Sequence, residues 1–410
     1  MTSPLAHRRA RMGGRDPHEA HRVATPLELL FDLTIVVAFS TASDELAHFI
    51  ADGHAGAGIA GFSFATFGIV WAWLNYTWFA SAYDTDDWLF RLATLVQMVG
   101  VVVFALGLPQ MFESIDHGDT LDNGVMVTGY VIMRVALISL WLQVARHDPE
   151  RAPAARTYAI AVGVAQIGWI AFVFLDLPVT TTFACFTVLF AIELLGPYLA
   201  ERKTPTPWHA HHIAERYGLL VIITLGEVIL GTVAALNAVV HGEAGWTTDA
   251  VLLTIAGVGL CFGCWWSYFA IPWGEAIERR RRRGFVFGYG HLVIFGSLAA
   301  MGAGLHVAAY YLEGEAKVGT TGTVLSVTIP VAVFLLAAYA LYSLVFRATD
   351  AFHLLLLAAT AAVLALVVVL AVAGTNMAVC LLVLTLAPVV TVVGYETIGH
   401  RHVREALDRL

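Results

Sequence analysis

Residues 354–373 read LLLLAATAAVLALVVVLAVA, twenty consecutive positions with no charge and a single hydroxyl, Thr360. At ~1.5 Å of rise per residue, such a run crosses the ~30 Å of bilayer hydrocarbon as one helix. Eleven other stretches meet the same criterion, giving twelve spans. They lie at approximately 27–49, 57–81, 88–108, 125–145, 157–175, 179–200, 216–240, 249–272, 285–312, 323–346, 352–373 and 376–398. Composition agrees with this reading. Of 410 residues, 59% are hydrophobic and 13% charged, with a mean hydropathy of +0.75, against about 45–50% apolar and about 25% charged in a soluble domain. The expected fold is an all-α polytopic integral membrane protein of about 12 transmembrane helices.

Several classes are excluded early. The 23 Lys+Arg against 31 Asp+Glu give a net charge of −8, which argues against a nucleic-acid partner. Cys185, Cys261, Cys264 and Cys380 lie within apolar runs, so no disulfide framework is expected. The Cys261–Cys264 spacing has no companion pair and reads as small packing residues. There is no Walker loop, no dinucleotide glycine fingerprint and no His-Glu-x-x-His, so no cofactor is expected. The polar opening carries Arg8, Arg9, Arg11, Arg15 and Arg22 without the apolar stretch and cleavage site of a signal peptide. The first span is therefore expected to be retained.

Cations concentrate on alternate connections: Arg91; Arg146, Arg151 and Arg156; Arg202, Lys203 and Arg216; Arg279 to Arg283; Arg347; and Arg401, Arg404 and Arg409. The opposite loops hold Lys317 with Glu113, Asp116, Asp119, Asp122, Asp176, Glu243 and Asp249. The positive-inside rule then places both termini in the cytoplasm. The expected organisation is a basic segment 1–25, a first six-helix half 26–200, a cytoplasmic linker 201–215, a second six-helix half 216–398 and a tail 399–410. Trp73, Tyr76 and Phe79 of the second span match Trp265, Tyr268 and Phe269 of the eighth. Leu194-Leu195-Gly196 ahead of Tyr198 likewise matches Val392-Val393-Gly394-Tyr395. These matches read either as a six-plus-six duplication or as shared composition.

A charge at the bilayer centre costs at least ~2.5–3.5 kcal/mol, so each one needs a partner, a water-filled cavity or a task. The candidates are Glu28, Asp32, Arg134, Glu193, Glu227 and His291. Four carboxylates against one permanent cation favour a bound proton or metal cation over an anion. Glu227 should lie near the midplane and Asp32 one to two turns from the cytoplasmic face. Arg134, central in its span, is expected to reach toward Asp32 or Glu227. Purely structural alternatives stand beside these roles. Thr25-Pro26-Leu27-Glu28 has the form of a capping box with proline at the first helical position, and an Asp32–Arg134 pair could simply hold helices together. His209, His211, His212 and Glu215 precede the seventh span and read as a polar helix start. No second cluster completes a metal shell there, so no metal site is expected.

Four stretches together resemble the bacterial low temperature requirement A family. They are Thr25-Pro26-Leu27-Glu28-Leu29-Leu30-Phe31-Asp32-Leu33; Tyr83-Asp84-Thr85-Asp86-Asp87; His212-Ile213-Ala214-Glu215-Arg216-Tyr217-Gly218-Leu219 running on to Leu225-Gly226-Glu227; and Tyr289-Gly290-His291-Leu292. Leu30 stands where the family tends to have Phe, and Val293 where Pro is usual; both are apolar and leave the carboxylates unaffected. The resemblance implies a membrane protein of undefined activity in the bacterial cytoplasmic (inner) membrane, concerned with growth in the cold. Phe31-Asp32 before an apolar span is also loosely similar, over those few residues, to the Phe-Ser-Asp signature of the lysosomal potassium channel family.

The function these readings favour is a proton- or cation-coupled secondary transporter. Asp32 and Glu227 would carry the proton or cation, with Arg134 setting their pKa values and His291 as a relay. Pro272, Pro330 and Pro388 could break spans beside a cavity. The alternatives are a cation channel, and an intramembrane enzyme acting on lipid-type substrates with Glu28, Asp32 and His291 as acid, base and orienting group. Membrane lipids and a small ion or solute are the expected partners.

Overall fold

The computed structural model describes residues 10–20, 22–175, 177–202, 204–240, 246–348 and 350–410. Arg8, Arg9, Asp176, Lys203 and Glu243 lie outside the described residues. Helices follow one another in the order α1 (Pro26–Ala51), α2 (Ala55–Tyr83), α3 (Trp88–Leu106), α4 (Leu108–His117), α5 (Gly124–His147), α6 (Ala152–Val173), α7 (Val179–Glu201) and α8 (Ala210–Val240). They continue with α9 (Thr248–Phe269), α10 (Trp273–Arg279), α11 (Gly284–Glu313), α12 (Thr320–Phe346), α13 (Ala351–Val372), α14 (Met377–Leu384), α15 (Leu386–Gly394) and α16 (His400–Asp408).

Twelve helical segments among the described residues are long and apolar enough to cross a membrane, one for each expected span. Some are composites. Trp88–His117 joins α3 and α4, Thr248–Arg279 joins α9 and α10, and Met377–Asp408 joins α14 to α16. The outward face of α13 shows what the apolar composition is for. Leu355, Val369 and Val372 are 64%, 62% and 69% exposed, while Thr360, Val367 and Ala371 are buried. A contiguous apolar surface turned outward on a helix of this length and hydropathy suits contact with lipid.

The helix ends follow local chemistry. Asp87 Oδ1 accepts from the Leu89 and Phe90 N–H groups at 3.0 and 2.9 Å and so starts α3. That helix breaks at Gly107, just before Pro109, so the third segment runs past its expected end to His117. The last segment also runs on, through a π turn at Tyr395–Gly399 into α16. The most consequential difference is at α8, which begins at Ala210 instead of 216. His212, Glu215 and Arg216 are therefore helical residues and not part of a connection.

The chain divides into two compact units, Met1–Thr41 with Phe67–Arg216, and Ala42–Thr66 with Tyr217–Leu410. In the first, α5 packs between α3 and α6, and α6 packs on α7. The α3–α5 contact is at backbone distance, since a Cβ placed on Gly129 would stand 2.2 Å from the Phe104 nitrogen. Small residues permit such approach between membrane helices. In the second unit, α12 pairs with α11 and α14 with α9. There a Cβ on Gly302 of α11 would stand 2.7 Å from the Glu227 carbonyl carbon of α8.

Candidate functional site

The first unit holds a buried charge network built on the opening turns of α1 and α8. Thr25 and Glu28 form the reciprocal capping box that their spacing implies. The Thr25 N–H donates to Glu28 Oε2 at 2.7 Å, and the Glu28 N–H donates to Thr25 Oγ1 at 3.3 Å. Capping does not exhaust Glu28. Its Oε1 lies 2.8 Å from Arg216 Nη1 and 3.2 Å from His212 Nε2. One turn along α1, Asp32 Oδ1 accepts from Arg216 Nη2 and, at 2.7 Å, from the indole N–H of Trp73. The Arg216 guanidinium also stands 5.8 Å from the centre of the Trp73 ring, within cation–π range. Glu28, Asp32, His212 and Arg216 have no solvent exposure.

The network continues outward through Arg22, 7% exposed, and Asp84, 5% exposed. Arg22 Nη2 stands 3.9 Å from Glu28 Oε1 and 3.5 Å from Asp84 Oδ2. It also donates to the Ala80 carbonyl at 3.3 Å. Asp84 lies one residue past the end of α2. Burial, and next the negative charge of Glu28, push its carboxyl up to about 6, against the pull of Arg22. Among the described residues Asp32 Oδ2, His212 Nδ1 and Arg216 Nε make no hydrogen bond. Such atoms are uncommon in a finished core and mark a place where a further polar group belongs.

Arg134 makes a different pair from the ones expected. It binds Glu193, neither Asp32 nor Glu227 being its ion-pair partner: Nη2 donates to Glu193 Oε2 at 2.8 Å and to Tyr130 Oη at 2.7 Å. Glu193 also accepts from Trp71 Nε1 at 2.8 Å, Tyr130 Oη at 3.0 Å and Gln166 Nε2 at 3.3 Å. The physical reason is that four donors from α2, α5 and α6 converge on the α7 carboxylate, a hydrogen-bonded shell that compensates its burial. The pair is charge-balanced and ties four helices together.

The remaining candidates belong to the second unit. Glu227 is buried where α8 meets Gly302 of α11. His291 sits in an aromatic box of Tyr217, Phe287, Tyr268 and Phe295, with ring centroids 4.4–5.6 Å away. Its Nδ1–H donates to the Phe287 carbonyl at 2.7 Å, which leaves Nε2 to accept from Tyr268 Oη at 2.8 Å in the neutral ring. The structure thus brings Glu28 together with Asp32, and Arg134 with Glu193.

A model of the bacterial low temperature requirement A protein family matches residues 23–388. The chain belongs to that family. An uncharacterized protein of Rhizobium meliloti (strain 1021) is 26% identical over 315 residues, covering 70% of each chain. No solved structure matches. The family match contains Glu28, Asp32, Asp84, His212 and Arg216, as well as the Arg134–Glu193 pair, and begins one residue after Arg22.

Sequence reasoning missed Arg216, Trp73, Arg22 and Asp84 as members of the site. In the sequence Arg216 falls with Arg202 and Lys203 on a cytoplasmic connection, where the positive-inside rule accounts for it as a topological cation. The available signal was helical spacing: His212 and Arg216 lie four apart and so share a face. Counting Arg216 and Arg22 as buried also revises the charge balance inside the protein.

Proposed function

We propose that this family member is a proton- or cation-coupled secondary transporter of a bacterial cytoplasmic membrane, with both termini cytoplasmic. In this reading the Glu28–Asp32–Arg216 network carries the coupling ion. The supporting observation is its charge count: three buried carboxylates, Glu28, Asp32 and Asp84, face two guanidiniums, Arg22 and Arg216. A buried excess of one negative charge requires one proton or one small cation. Asp84, just outside the end of α2 and with its carboxyl at about 6, is the group that can take and release a proton near neutral pH, and His212 stands 3.2 Å from Glu28. Glu227, near the middle of α8, is the second carboxylate in this reading.

The enzyme alternative also has an observation in its favour. Asp32 lies six residues into α1, only about 9 Å along the axis, which is closer to a headgroup depth than to a midplane. One experiment separates the two. Purified protein is placed in liposomes with an internal pH dye, K⁺, Na⁺ and Li⁺ gradients are imposed in turn, and wild type is compared with Asp32→Asn, Asp84→Asn and Glu227→Gln. Cation-dependent proton movement that is lost in Asp32→Asn is the expected result. Conduction without proton movement would make the protein a channel. Folded protein with no flux above empty liposomes would overturn the transport reading and direct the search to modified lipid in extracts.

A further inference from the structure

Away from the network, three side chains distant in sequence converge where α13 begins. Asp350 caps α13, its Oδ1 accepting from the His353 N–H at 2.9 Å. The same carboxylate stands 2.9 Å from His353 Nδ1 and, through Oδ2, 2.7 Å from His402 Nδ1. Capping needs only the first of these contacts. His402 comes from α16, 52 residues on, and is delivered by the π turn at Tyr395–Gly399 that precedes that helix. Turns of this kind recur at functional sites. One potential ligand atom from each of the three residues lies within 4.8 Å of the other two.

A second observation points to a bound group. His353 lines a 50 Å³ cavity with Tyr342, Tyr395 and Val403. The Tyr342 ring stacks on His353 at 4.8 Å. Its hydroxyl is buried and makes no hydrogen bond among the described residues, although the side chain is only 4% exposed. A buried polar atom of that kind, on a residue that lines the cavity, is uncommon in a finished core.

We propose that Asp350, His353 and His402 bind one divalent transition-metal ion of the zinc class, fastening α16 to the start of α13. Two imidazoles and one carboxylate are a donor set that suits zinc, with a fourth position left for water or a small ligand. Bonds of about 2.0–2.2 Å to the ion require both Nδ1 atoms to exchange their hydrogen bonds to the carboxylate for the ion, with a small rearrangement of the donors around it. His402, on the terminal helix and with a third of its side chain exposed, is placed to make that movement. An oxygen-only cation such as Mg²⁺ would not be served by this set.

The test is zinc titration by calorimetry on tag-free full-length protein in detergent, with trypsin cleavage at Arg401 and Arg404 followed in parallel. Wild type should bind one Zn²⁺ that protects the tail. His402→Ala should weaken that binding by at least about tenfold and abolish the protection, and His402→Cys, which restores a ligand, should recover both. His353→Asn should act like His402→Ala; if its stacked position prevents folding, the variants at His402, whose side chain is one-third exposed, still decide. No binding to wild type, equal binding to His402→Ala, or equally effective competition by Mg²⁺ would each overturn the proposal.

Discussion

Arg216 Nη1 stands 2.8 Å from Glu28 Oε1, with both side chains shut away from solvent. Through its other terminal nitrogen the same guanidinium holds Asp32. One cation on α8 therefore compensates two carboxylates on successive turns of α1. Removing it should be far worse than losing a contact, because two buried negative charges would remain. Breaking a buried pair from one side typically costs about 3–5 kcal/mol. Arg216→Met is expected to lower the thermal midpoint in detergent sharply. The triple change Arg216→Met, Glu28→Gln, Asp32→Asn should regain part of the loss. A triple variant no more stable than Arg216→Met would show that charge compensation is not what the arginine supplies.

Asp84 should give the protein a specific pH dependence. An aspartate in the unfolded chain titrates near 3.9, whereas burial and Glu28 hold the folded carboxyl up at about 6. Between those values the native state binds the extra proton. The cost of carrying Asp84 charged is absent below about pH 4 and fully present above about pH 6, so this group's contribution worsens as pH rises. Two units correspond to about 3 kcal/mol. Thermal midpoints measured from about pH 4.5 to about pH 7.5 should show Asp84→Asn gaining on wild type as pH increases. A constant offset between the two proteins would contradict the assignment.

Individual spans were legible in the sequence because each is a long, predominantly apolar run, and the Thr25–Glu28 cap because its signal is local. Partners were another matter. Asp32 and Arg216 are 184 residues apart, and nothing in periodicity says which of four buried carboxylates an arginine will choose. Arg134 chose Glu193 because Trp71, Tyr130 and Gln166 had already assembled donors there. Arg216 was hidden by the same rule that oriented the protein, since a cation at the start of a span is ordinarily a topological signal. The Asp350–His402 contact escaped for a third reason: the π turn that aims His402 has no marker in the residues that form it.

The Arg134–Glu193 pair should respond asymmetrically to substitution. Glu193→Leu strands the guanidinium together with the Trp71, Tyr130 and Gln166 donors, all of which lose their acceptor in an enclosed site. Arg134→Met leaves a carboxylate that still accepts from the other three. Both should destabilise, with Glu193→Leu toward the upper end of the about 3–5 kcal/mol range for a broken buried pair and Arg134→Met below it. Thermal unfolding of the two variants side by side checks the order. The reverse order would mean that the arginine, not the hydrogen-bonded shell, is what keeps Glu193 buried.

Two glycines of the first unit make a matched test of helix packing. A Cβ on Gly129 would stand 2.2 Å from the Phe104 nitrogen and 2.5 Å from the Gly100 carbonyl oxygen. Both are backbone atoms that cannot rotate away, so Gly129→Ala must push α5 from α3. A cost of about 1–3 kcal/mol is expected, as for other overpacked contacts. Gly163, inside α6, has no atom beyond its own helix backbone within 4 Å of its Cβ position among the described residues. Gly163→Ala should therefore stabilise, by up to about 1 kcal/mol of helix propensity. Thermal midpoints of opposite sign are the expected outcome; if both variants were neutral, the α3–α5 contact would be looser than the backbone distances require.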